Sequence, residues 1–417
     1  MNFLLLNQDW FANELKALGH NVVTAGNDPH LSVQLPPLTN IREALQRELV
    51  GFNPDVVIWY DNSSPLYYFG LDELKAKTVF YTVDTHHHLR VHRFLAHLFD
   101  LTLIAHKDYT LGIEEYGISP VWFPLWASRI PKISDSRTKG AVFVGTLNPD
   151  LNPERVTFFE ELKKLAEVEV LQANWWEVFS DSKIVINQTV KKDLNFRVFE
   201  AMSTGALLLT EKIENGLFEL FKEGEHLVTY EKGDAKEAAE KIRYYLSNES
   251  ERQRIAKLGM EEVRLFHSPL VRAKTLLELV TKAEKRSGSP LRSFANVIAR
   301  TCLLRKIESG ELFQALLGDT KALANNLAEP LDEECFIEIF YLGFASSEPD
   351  FNFLRQFLDR YPNSMVLTCA VIYLLKEEGK IEEAKELAKR SFAISVEDAF
   401  SNVDALVKSI KEALDRK

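Results

Sequence analysis

Cysteine, long apolar runs and positive charge are all scarce in this sequence, and each shortage excludes a class of protein. The three cysteines are scattered over the last third, without disulfide or metal-type spacing, at Cys302, Cys335 and Cys369. We therefore expect a reducing, cytoplasmic compartment. No apolar run reaches the about 20 residues that a membrane span needs, and the start, MNFLLLNQDWF, lacks the basic segment of a signal peptide. We expect neither a membrane span nor a signal peptide.

The charge balance and the length narrow the class further. A net charge of −11 and a pI near 5.5 argue against nucleic acid or an anionic membrane as the main partner, although a local basic pocket can still exist. With 417 residues, of which 46% are hydrophobic, the chain can bury sizeable cores. We expect an ordinary globular protein of two or three domains.

Residues 1–130 alternate strand-like and helical patterns, which is typical of a doubly wound parallel sheet. Strands are predicted at Phe3–Leu6, Val22–Val23, Val56–Tyr60 and Thr78–Thr82. Two helices are predicted between them, one with Trp10, Phe11, Leu15 and Leu18 on one face and Gly19 at its end, the other with a capping box of Asn40 and Glu43 at its start.

A polar cluster follows the strand Thr78–Thr82 directly, at the position where open α/β sheets bind ligands. It contains Asp84, His86, His87 and His88. Side chains of adjacent histidines point in divergent directions and no second ligand cluster is spaced to complete a shell, so we expect no metal site. Plain loop packing explains any one of these histidines equally well, and a metal-dependent enzyme using His86 to His88 remains a rival hypothesis.

The stretch Ser182–Thr210 has the pattern of a strand, a short helix and a second strand. The apolar runs Ile184–Ile186 and Ala206–Leu209 predict the two buried strands. Between them Asn195 can cap a helix, which carries apolar residues at helical spacing, and Gly205 can end it.

Arg197 falls in the first turn of this predicted helix, where free backbone N–H groups and the positive end of the dipole already favour an anion. Glu200 lies about one turn further on, and its carboxylate can accept hydrogen bonds from both hydroxyls of a ribose. Arg197 and the helix start can then hold a diphosphate. The alternative is a solvated ion pair worth a few tenths of a kcal/mol, which the spacing alone favours.

A second phosphate-binding geometry is predicted after the strand Ala141–Val144. Gly145 follows that strand, and a loop leads to a helix that starts at Asn152 and Pro153 with Arg155 in its first turn. An ordinary strand-to-helix turn is about equally compatible with this pattern. Lys191 and Lys192 are weaker candidates for the diphosphate, because lysines in loops are usually only solvated.

The rest of the chain divides at two polar stretches. The breakers of Pro131–Gly140 predict a linker before a second α/β domain at 141–283, which ends in amphipathic helices at Asp234–Leu246, Glu249–Leu258 and Pro269–Ala283. Strand signals stop after EKRSGSP, residues 284–290, so 291–417 is predicted to be a separate helical domain. Within it, residues 361–394 resemble one tetratricopeptide-type hairpin, with Gly379 at the turn and Ala384 and Ala388 at close-packing positions.

Taken together, SKIVIN and NFRVFEAMSTGALLLT resemble the C-terminal domain of the spore-maturation (CgeB-like) glycosyltransferases, relatives of the large retaining GT-B families. The resemblance continues through LFELFKEGEHLVTYEKGD and covers roughly residues 140–280. It implies two Rossmann-like domains, a late helix that crosses back to the first of them, and a donor-ribose role for Glu200. Many of these enzymes carry a further glutamate eight positions earlier, where this chain has Lys192, so the resemblance does not indicate the sugar or the stereochemical outcome.

The first domain resembles the same family through VDTHHHL, His92, LFDLTLIAHKDY and VWFPLWA. This implies that Asp84 and a neighbouring histidine face the interdomain cleft, where a carboxylate or imidazole can orient or deprotonate an acceptor hydroxyl. The sequence does not choose between Asp84, His86 and His87.

These patterns predict an enzyme that transfers a hexosyl group from a nucleotide-diphosphate sugar to the hydroxyl of a protein or glycan, without a metal or other cofactor. Gly145, Arg155, Asn195, Arg197 and Glu200 are the predicted donor site. The rival from a different class is a non-catalytic scaffold of the same fold that binds a peptide through its helical domain. The missing donor-sugar glutamate counts for the scaffold, and Arg197, Glu200 and the Asp84 cluster count against it.

Overall fold

The computed structural model describes residues 1–61, 63, 68–134, 136–286, 288–328 and 330–415. Asp135 in the predicted linker and Ser287 beside the predicted end of the second domain therefore lie outside the described residues. The chain forms two compact units, one of residues 1–63 and 70–286 and the other of residues 64–69 and 287–417.

The first unit contains two parallel sheets, of which the first has seven strands in the order β3-β2-β1-β4-β5-β6-β7. Its strands are β1 Asn2–Leu6, β2 Asn21–Gly26, β3 Val33–Gln34, β4 Val56–Tyr60, β5 Lys77–Thr82, β6 Leu101–Ile104 and β7 Val121–Trp122. Its helices are α1 Ala12–Ala17, α2 Ile41–Arg47, α3 Thr85–Leu95 and α4 Thr110–Glu114, with short 3-10 turns at Leu71–Glu73, Ala96–Leu98 and Lys107–Tyr109. Every residue of β4 is buried, as expected for a central strand with both faces covered.

The second sheet has five parallel strands in the order β12-β11-β10-β8-β9. These strands are β8 Lys139–Val144, β9 Val168–Leu171, β10 Ser182–Asn187, β11 Leu207–Glu211 and β12 Val228–Tyr230. The helices of this part are α5 Pro153–Leu165, α6 Trp175–Ser180, α7 Phe196–Ser203, α8 Leu217–Leu220, α9 Ala235–Ser247, α10 Glu249–Phe266 and α11 Pro269–Lys282. In β10 and β11 the register places Ile184 opposite Leu207 and Ile186 opposite Leu209, so the two predicted apolar runs pair directly.

Helix α11 contacts the part of the first unit that contains the first sheet. Lys77 Nζ donates to Val280 O at 3.0 Å, and Arg272 Nη2 donates to Leu125 O at 3.1 Å. Both bonds satisfy backbone carbonyls with charged donors, one of them near the end of a helix, where cations are favoured. The helix that follows the second sheet therefore ties the two sheets together within one unit.

The second unit is helical and contains seven helices among its described residues. They are α12 Arg292–Leu304, α13 Glu311–Asn325, α14 Glu333–Phe344, α15 Phe351–Arg360, α16 Met365–Glu377, α17 Ile381–Ser391 and α18 Val396–Asp415. Helices α16 and α17 form the hairpin predicted around Gly379, which has a φ of 76°. Ala384 and Ala388 are buried, as their close-packing positions require.

Two helix predictions need correction. Trp10 and Phe11 were predicted inside the first helix, but the helix begins at Ala12 and Phe11 is its N-cap with a left-handed φ of 66°. The helix predicted to span Glu249–Leu258 continues through Gly259 to Phe266. Gly259 belongs there because a Cβ at this position would lie 2.2 Å from the carbonyl oxygen of His226, so the glycine marks close packing and not a helix end.

Candidate active site

Each sheet has one point at which its strand order reverses, and open α/β sheets bind ligands in the crevice at the carboxyl ends of the strands there. In the first sheet this point lies between β1 and β4, and in the second between β8 and β10. Asp61 follows β4, Gly145 follows β8, and the loop 188–195 follows β10. Most of the site residues predicted from the sequence lie on these segments or on the helices that come after them.

Gly145, Arg155 and Arg197 meet around the ring of Phe143. The guanidinium carbons of Arg197 and Arg155 lie 4.5 Å and 5.6 Å from the ring centroid. A Cβ on Gly145 would come within 3.0 Å of Arg197 Nη2 and 2.8 Å of Phe143 Cζ. Glycine is therefore the residue that lets the backbone after β8 approach the guanidinium. The structure thus brings three of the predicted donor-site residues together.

Arg197 is anchored by protein acceptors. Its Nε and Nη2 donate to Val144 O at 3.2 Å and 3.0 Å, and its Nη1 donates to Asn187 Oδ1 at 2.7 Å. Burial, with Arg155 as a like-charged neighbour, lowers the pKa of Arg197 to about 10, so it stays cationic at neutral pH. These bonds use three of the five N–H groups of a guanidinium, which leaves two for an anion.

Arg155 is buried and held by Gln188. Its Nε donates to Gln188 Oε1 at 2.8 Å and its Nη2 donates to Gln188 O at 3.1 Å. The sequence placed Arg155 in the first turn of a helix, and α5 starts at Pro153 as predicted. Two fixed guanidinium groups near one edge of the sheet make a local cationic site in a chain of net negative charge.

The start of α7 differs from the prediction in one respect. Asn195 occupies the N-cap position, but its side chain makes no capping hydrogen bond to the helix. It hydrogen-bonds instead to the buried Asp193 carboxylate, and its Oδ1 has no partner within the described residues. Because no side chain caps the first turn, backbone N–H groups there remain available to a ligand.

Glu200 lies one turn into α7, and its Oε1 accepts a hydrogen bond from Ser128 Oγ at 2.5 Å. Burial raises the pKa of Glu200 to about 7, against the opposing effects of Ser128 and Arg197. The carboxyl group is therefore close to half ionised at neutral pH. Ser128 belongs to the segment that leaves the first sheet, so Glu200 faces the crevice between the two sheets and is not a solvated surface ion pair.

Aromatic side chains on the segments that follow β1 and β7 pack against the start of α7. The ring of Phe196 lies 5.7 Å from Trp10 and 5.1 Å from Trp126, both edge to face. Burial of these rings fixes the position of the α7 N-terminus relative to the first sheet.

The carboxylate of Asp61, which was not among the residues predicted from the sequence, fixes the loops at the carboxyl ends of the central strands of the first sheet. Asp61 is 1% exposed. Its Oδ2 accepts from the backbone N–H of Asp84 at 2.9 Å and of Val83 at 3.2 Å, and its Oδ1 accepts from Ser63 N at 2.9 Å. Asp61 thereby fixes the backbone that carries Asp84, whose own carboxylate accepts a hydrogen bond from Ser63 Oγ.

His86 and His87 have different surroundings. The ring of His86 is half-buried and packs edge to face on buried His106 at 4.8 Å, and neither Nδ1 has a hydrogen-bond partner in the part of the chain that the structure describes. Burial lowers the pKa of His86 to about 3 and that of His106 to about 4, so both rings are neutral at physiological pH. His87 is exposed, and burial of part of its ring together with Lys191 lowers its pKa.

Lys191 lies in the loop that leads to the predicted donor residues and is also an electrostatic neighbour of the predicted acceptor-side histidines. It lies in the loop after β10, and its charge acts on both His86 and His87. Lys191 and Lys192 have left-handed backbones, with φ of 50° and 61°, which non-glycine residues rarely adopt. The loop that leads to Arg197 therefore also reaches the histidine cluster, whereas no hydrogen bond links Asp84 to Arg197 or Glu200 among the described residues.

Within the described part of the chain, no group of three histidine, cysteine, aspartate or glutamate side chains is arranged to hold a metal ion. The backbone of α3 departs from helical geometry at His88, with φ of −125° and ψ of 18°. The same part of the chain contains no helix with the length and apolarity that crossing a bilayer demands.

Comparison with known proteins adds a family match and a fold. Residues 150–278 match the family model described as "Glycosyl transferase-like". Similar solved structures include HepE from Anabaena in complex with UDP and glucose, with 12% identity and a TM-score of 0.53 over 67% of this chain and 99% of that chain. They also include sucrose-phosphate synthase from Thermosynechococcus elongatus, with 12% identity and a TM-score of 0.50 over 68% of this chain and 98% of that one. The chain has the GT-B glycosyltransferase fold.

A glycosyltransferase from Rickettsia africae is similar to the same extent, with 12% identity and a TM-score of 0.50 over 67% of this chain and 98% of that chain. No curated protein sequence matches the chain. The GT-B fold predicted from the sequence is thus confirmed, and the family match supports the predicted glycosyl transfer. The helical unit extends the GT-B part toward the C-terminus.

Proposed function

We propose that the protein transfers a glycosyl group from a nucleotide-diphosphate sugar to an acceptor hydroxyl in the crevice between its two sheets. The observation that carries this proposal is the constellation at the strand-order reversal of the second sheet. Two fixed guanidiniums, Arg155 and Arg197, an uncapped helix start and the carboxyl group of Glu200 lie together there. This set matches the diphosphate and ribose of a nucleotide donor.

The chemistry follows from these charges. When the bond between the anomeric carbon of the sugar and the diphosphate breaks, its electron pair stays on the diphosphate. The leaving diphosphate therefore carries one more negative charge than in the donor. The two free N–H groups of Arg197, the helix start and Arg155 can stabilise that charge without a metal ion. We propose that Glu200 accepts hydrogen bonds from the ribose hydroxyls and that Gly145 lets the diphosphate approach the backbone after β8.

For the acceptor side we propose Asp84 and His87 as the candidates for the base. Both reach solvent at the edge of the first sheet, whereas the ring of His86 faces buried His106. Because the pKa of His87 is lowered, the ring is unprotonated and able to accept a proton at neutral pH. His86 then acts as packing for the cluster and takes no proton.

Finer features belong to the same proposal. We propose a hexosyl donor carried by UDP, as in the complex of HepE with UDP and glucose, and a cytoplasmic enzyme related to the CgeB-like glycosyltransferases. We propose domain boundaries at 1–130, 131–140, 141–283 and 291–417, and a tetratricopeptide-like role for the helical domain in binding a protein acceptor. The exposed turn of the α16–α17 hairpin supports the last point.

Thermal unfolding with and without UDP-glucose tests the donor site. A ligand at about 100 times its Kd stabilises the protein by about 2.7 kcal/mol, so the unfolding transition should rise measurably. Glu200→Ala should remove the shift and keep the fold, because it deletes the acceptor of the ribose hydroxyls. Glu177→Ala, in the same part of the chain but on α6, is the matched control and should keep the shift. An unchanged shift in folded Glu200→Ala would refute the assignment.

A non-catalytic scaffold of the same fold is the second candidate. The observation in its favour is that protein acceptors already hold three of the five N–H groups of Arg197. The two hypotheses differ in whether UDP is released from bound UDP-glucose. Slow release of UDP by the wild type, lost in Glu200→Ala, supports the enzyme, and donor binding without any release supports the scaffold.

A further inference from the structure

A cavity of about 340 Å³ lies at the opposite end of α7 from Arg197. It is bounded by the segment before β8, by Gly205 after α7, by Lys183 in β10 and by one face of α10. Helix α7 has eight residues and is therefore about 12 Å long, so this cavity is separate from the candidate donor site. Its volume lies at the lower end of the range of small-molecule sites.

Most of the charged side chains among the described residues that line the cavity are cationic. They include Arg137, Lys183, Arg252 and Lys257, with Glu249 as the one carboxylate. Lys257 is exposed and has a distant partner, since its Nζ lies 3.9 Å from Glu261 Oε1. Among the described lining residues positive charge thus exceeds negative charge, in a chain whose net charge is −11.

Arg252 is the most unusual member of this lining because it is only 3% exposed. Its Nε has no hydrogen-bond partner among the described residues, and its Nη2 lies 3.3 Å from Glu249 Oε1. That carboxylate is itself 61% exposed and is shared with Gln253 Nε2 at 2.9 Å. A buried guanidinium whose one described ion-pair partner is a largely exposed carboxylate is incompletely neutralised.

Arg137 adds a second fixed guanidinium. Its Nη1 donates to Ser182 O at 2.7 Å and Phe179 O at 3.0 Å, and its Nη2 donates to Thr204 O at 2.6 Å. All three acceptors are backbone carbonyls, so they orient the group and do not neutralise it. Burial and the charge of Arg252 lower the pKa of Arg137, against the opposing effect of Asp181.

Glycine at position 205 keeps this arrangement open. Its φ is 77°, and a Cβ would lie 3.1 Å from Arg137 Nη2 and 3.1 Å from Met260 Sδ. The same residue ends α7 with the left-handed backbone that glycine adopts most readily. The end of the helix and the wall of the cavity are therefore set by one residue.

We propose that this cavity binds a small soluble anion that carries a phosphate group, at a site distinct from the donor site. Two guanidiniums held in fixed orientations suit the oxygens of a phosphate, and Lys183 supplies a further point charge. A phosphate monoester has the double negative charge that best balances the cationic excess of the lining. The ligand joins α10 to the segment before β8 and to the end of α7.

Isothermal titration of the full-length protein with glucose 6-phosphate tests this site, with UDP-glucose, which has no terminal phosphate, present at saturation to occupy the donor site. Glucose serves as the uncharged control ligand. The test variants are Arg252→Gln and Lys183→Gln, and the matched control is Arg254→Gln. Arg254 lies on the same helix, is exposed, and donates to Gly224 O at 2.9 Å away from the cavity lining. Lys183 is only partly buried, so its variant serves if Arg252→Gln fails to fold.

We expect one equivalent of glucose 6-phosphate to bind the wild type and Arg254→Gln, glucose not to bind, and both test variants to weaken binding at least about tenfold. No saturable binding to the wild type, or equal weakening by Arg254→Gln, would overturn the proposal. Vesicles of equal parts phosphatidylcholine and phosphatidic acid distinguish a lipid headgroup. Binding to vesicles that depends on Arg252, without binding of glucose 6-phosphate, would also overturn it.

Discussion

Protonation of Glu200 changes within the physiological pH range, because burial raises its pKa to about 7. The ionised carboxylate is the better acceptor for two ribose hydroxyls, so affinity for the donor should depend on this equilibrium. We predict that the affinity for UDP-glucose rises from about pH 5.5 to about pH 8.5 with a midpoint near 7. UDP-glucose suits the titration because its diphosphate is a diester and does not change charge in this interval.

Glu200→Gln supplies the control for that profile. It should bind UDP-glucose more weakly and with little pH dependence, since the amide has no ionisation to lose. A wild-type affinity that stays constant across the interval would contradict the assignment of Glu200 to the ribose.

The raised pKa of Glu200 also predicts how the free energy of unfolding changes with pH. A carboxyl group whose pKa is raised on folding stabilises the protein below its unfolded pKa of 4.5, and this contribution is lost as the pH rises through about 7. Glu200→Gln mimics the protonated form. We expect equal stability of the variant and wild type near pH 4.5, and a variant more stable by up to about 3 kcal/mol at about pH 8. Urea unfolding of both proteins at each pH measures the difference in their free energies of unfolding. The contributions of the other titrating groups are the same in both proteins and cancel in that difference.

The acceptor-side residues can be separated by their effects on turnover and on donor binding. We predict that Asp84→Asn or His87→Gln lowers the rate of transfer by about 10²- to 10⁴-fold and leaves the affinity for UDP-glucose within about twofold, because a general base acts on the acceptor. His86→Gln should have a smaller effect on the rate. Full turnover in both Asp84→Asn and His87→Gln would place the base elsewhere.

Replacement of two helical glycines by alanine should change the stability of the protein in opposite directions. Alanine at Gly259 in α10 would place Cβ 2.2 Å from the carbonyl oxygen of His226, a backbone atom that cannot rotate away. Gly318 in α13 is exposed, with nothing within 4 Å of an added Cβ. We predict that Gly259→Ala destabilises the protein by more than about 2 kcal/mol, whereas Gly318→Ala stabilises it by up to about 1 kcal/mol. Unfolding midpoints of both variants measure this, and equal signs would contradict it.

The elements that could be predicted from the sequence are those specified by local patterns. The continuous apolar run Val56–Tyr60 forms β4 with the predicted bounds, and Asn40 caps α2 by accepting from Arg42 N and Glu43 N. Asn195 has the same local signal but turns to Asp193, because a buried carboxyl group competes for its side chain. Capping was predictable where no buried partner competed.

The part of the candidate site that could not be predicted depends on long-range contacts. Asp61 binds backbone groups 22 and 23 residues further along the chain, and Glu200 receives its hydrogen bond from Ser128, 72 residues earlier. Nothing in the neighbouring sequence of Ser128 indicates this role. The position of Asp61 immediately after a buried strand was a usable signal, since the carboxyl ends of parallel strands carry ligand sites.

At the scale of the whole molecule, the helical unit should determine the acceptor and not the donor. We predict that residues 1–286 keep both sheets folded and bind UDP-glucose with unchanged affinity, but no longer glycosylate the natural acceptor. Stacked helical hairpins present a surface suited to a polypeptide, which is the reason for this expectation. Titration calorimetry and a transfer assay with a cell extract as acceptor measure the two properties.

The truncation to residues 1–286 keeps a short piece of the helical unit, because residues 64–69 belong to that unit. Tyr68 is fully buried, and Arg300 lies over the ring of Phe69 at 4.3 Å within the helical unit. A truncated chain exposes these rings, so a second version with serine at both positions keeps the experiment interpretable. Loss of donor binding in both versions, or normal glycosylation by either, would refute the selector role.

Tyr68 and Phe69 are synthesised long before the rest of the helical unit to which they belong. They leave the ribosome with the first sheet, but the rest of their unit starts at residue 287, which is 218 positions after Phe69. At about 5–20 residues per second, these two aromatic rings wait roughly 10–45 s for the helices that will cover them. During that interval a nascent chain presents a short apolar segment beside a sheet that is already able to fold. We therefore expect translation speed, and chaperones that bind such segments, to affect the folding of this protein before the helical unit is complete.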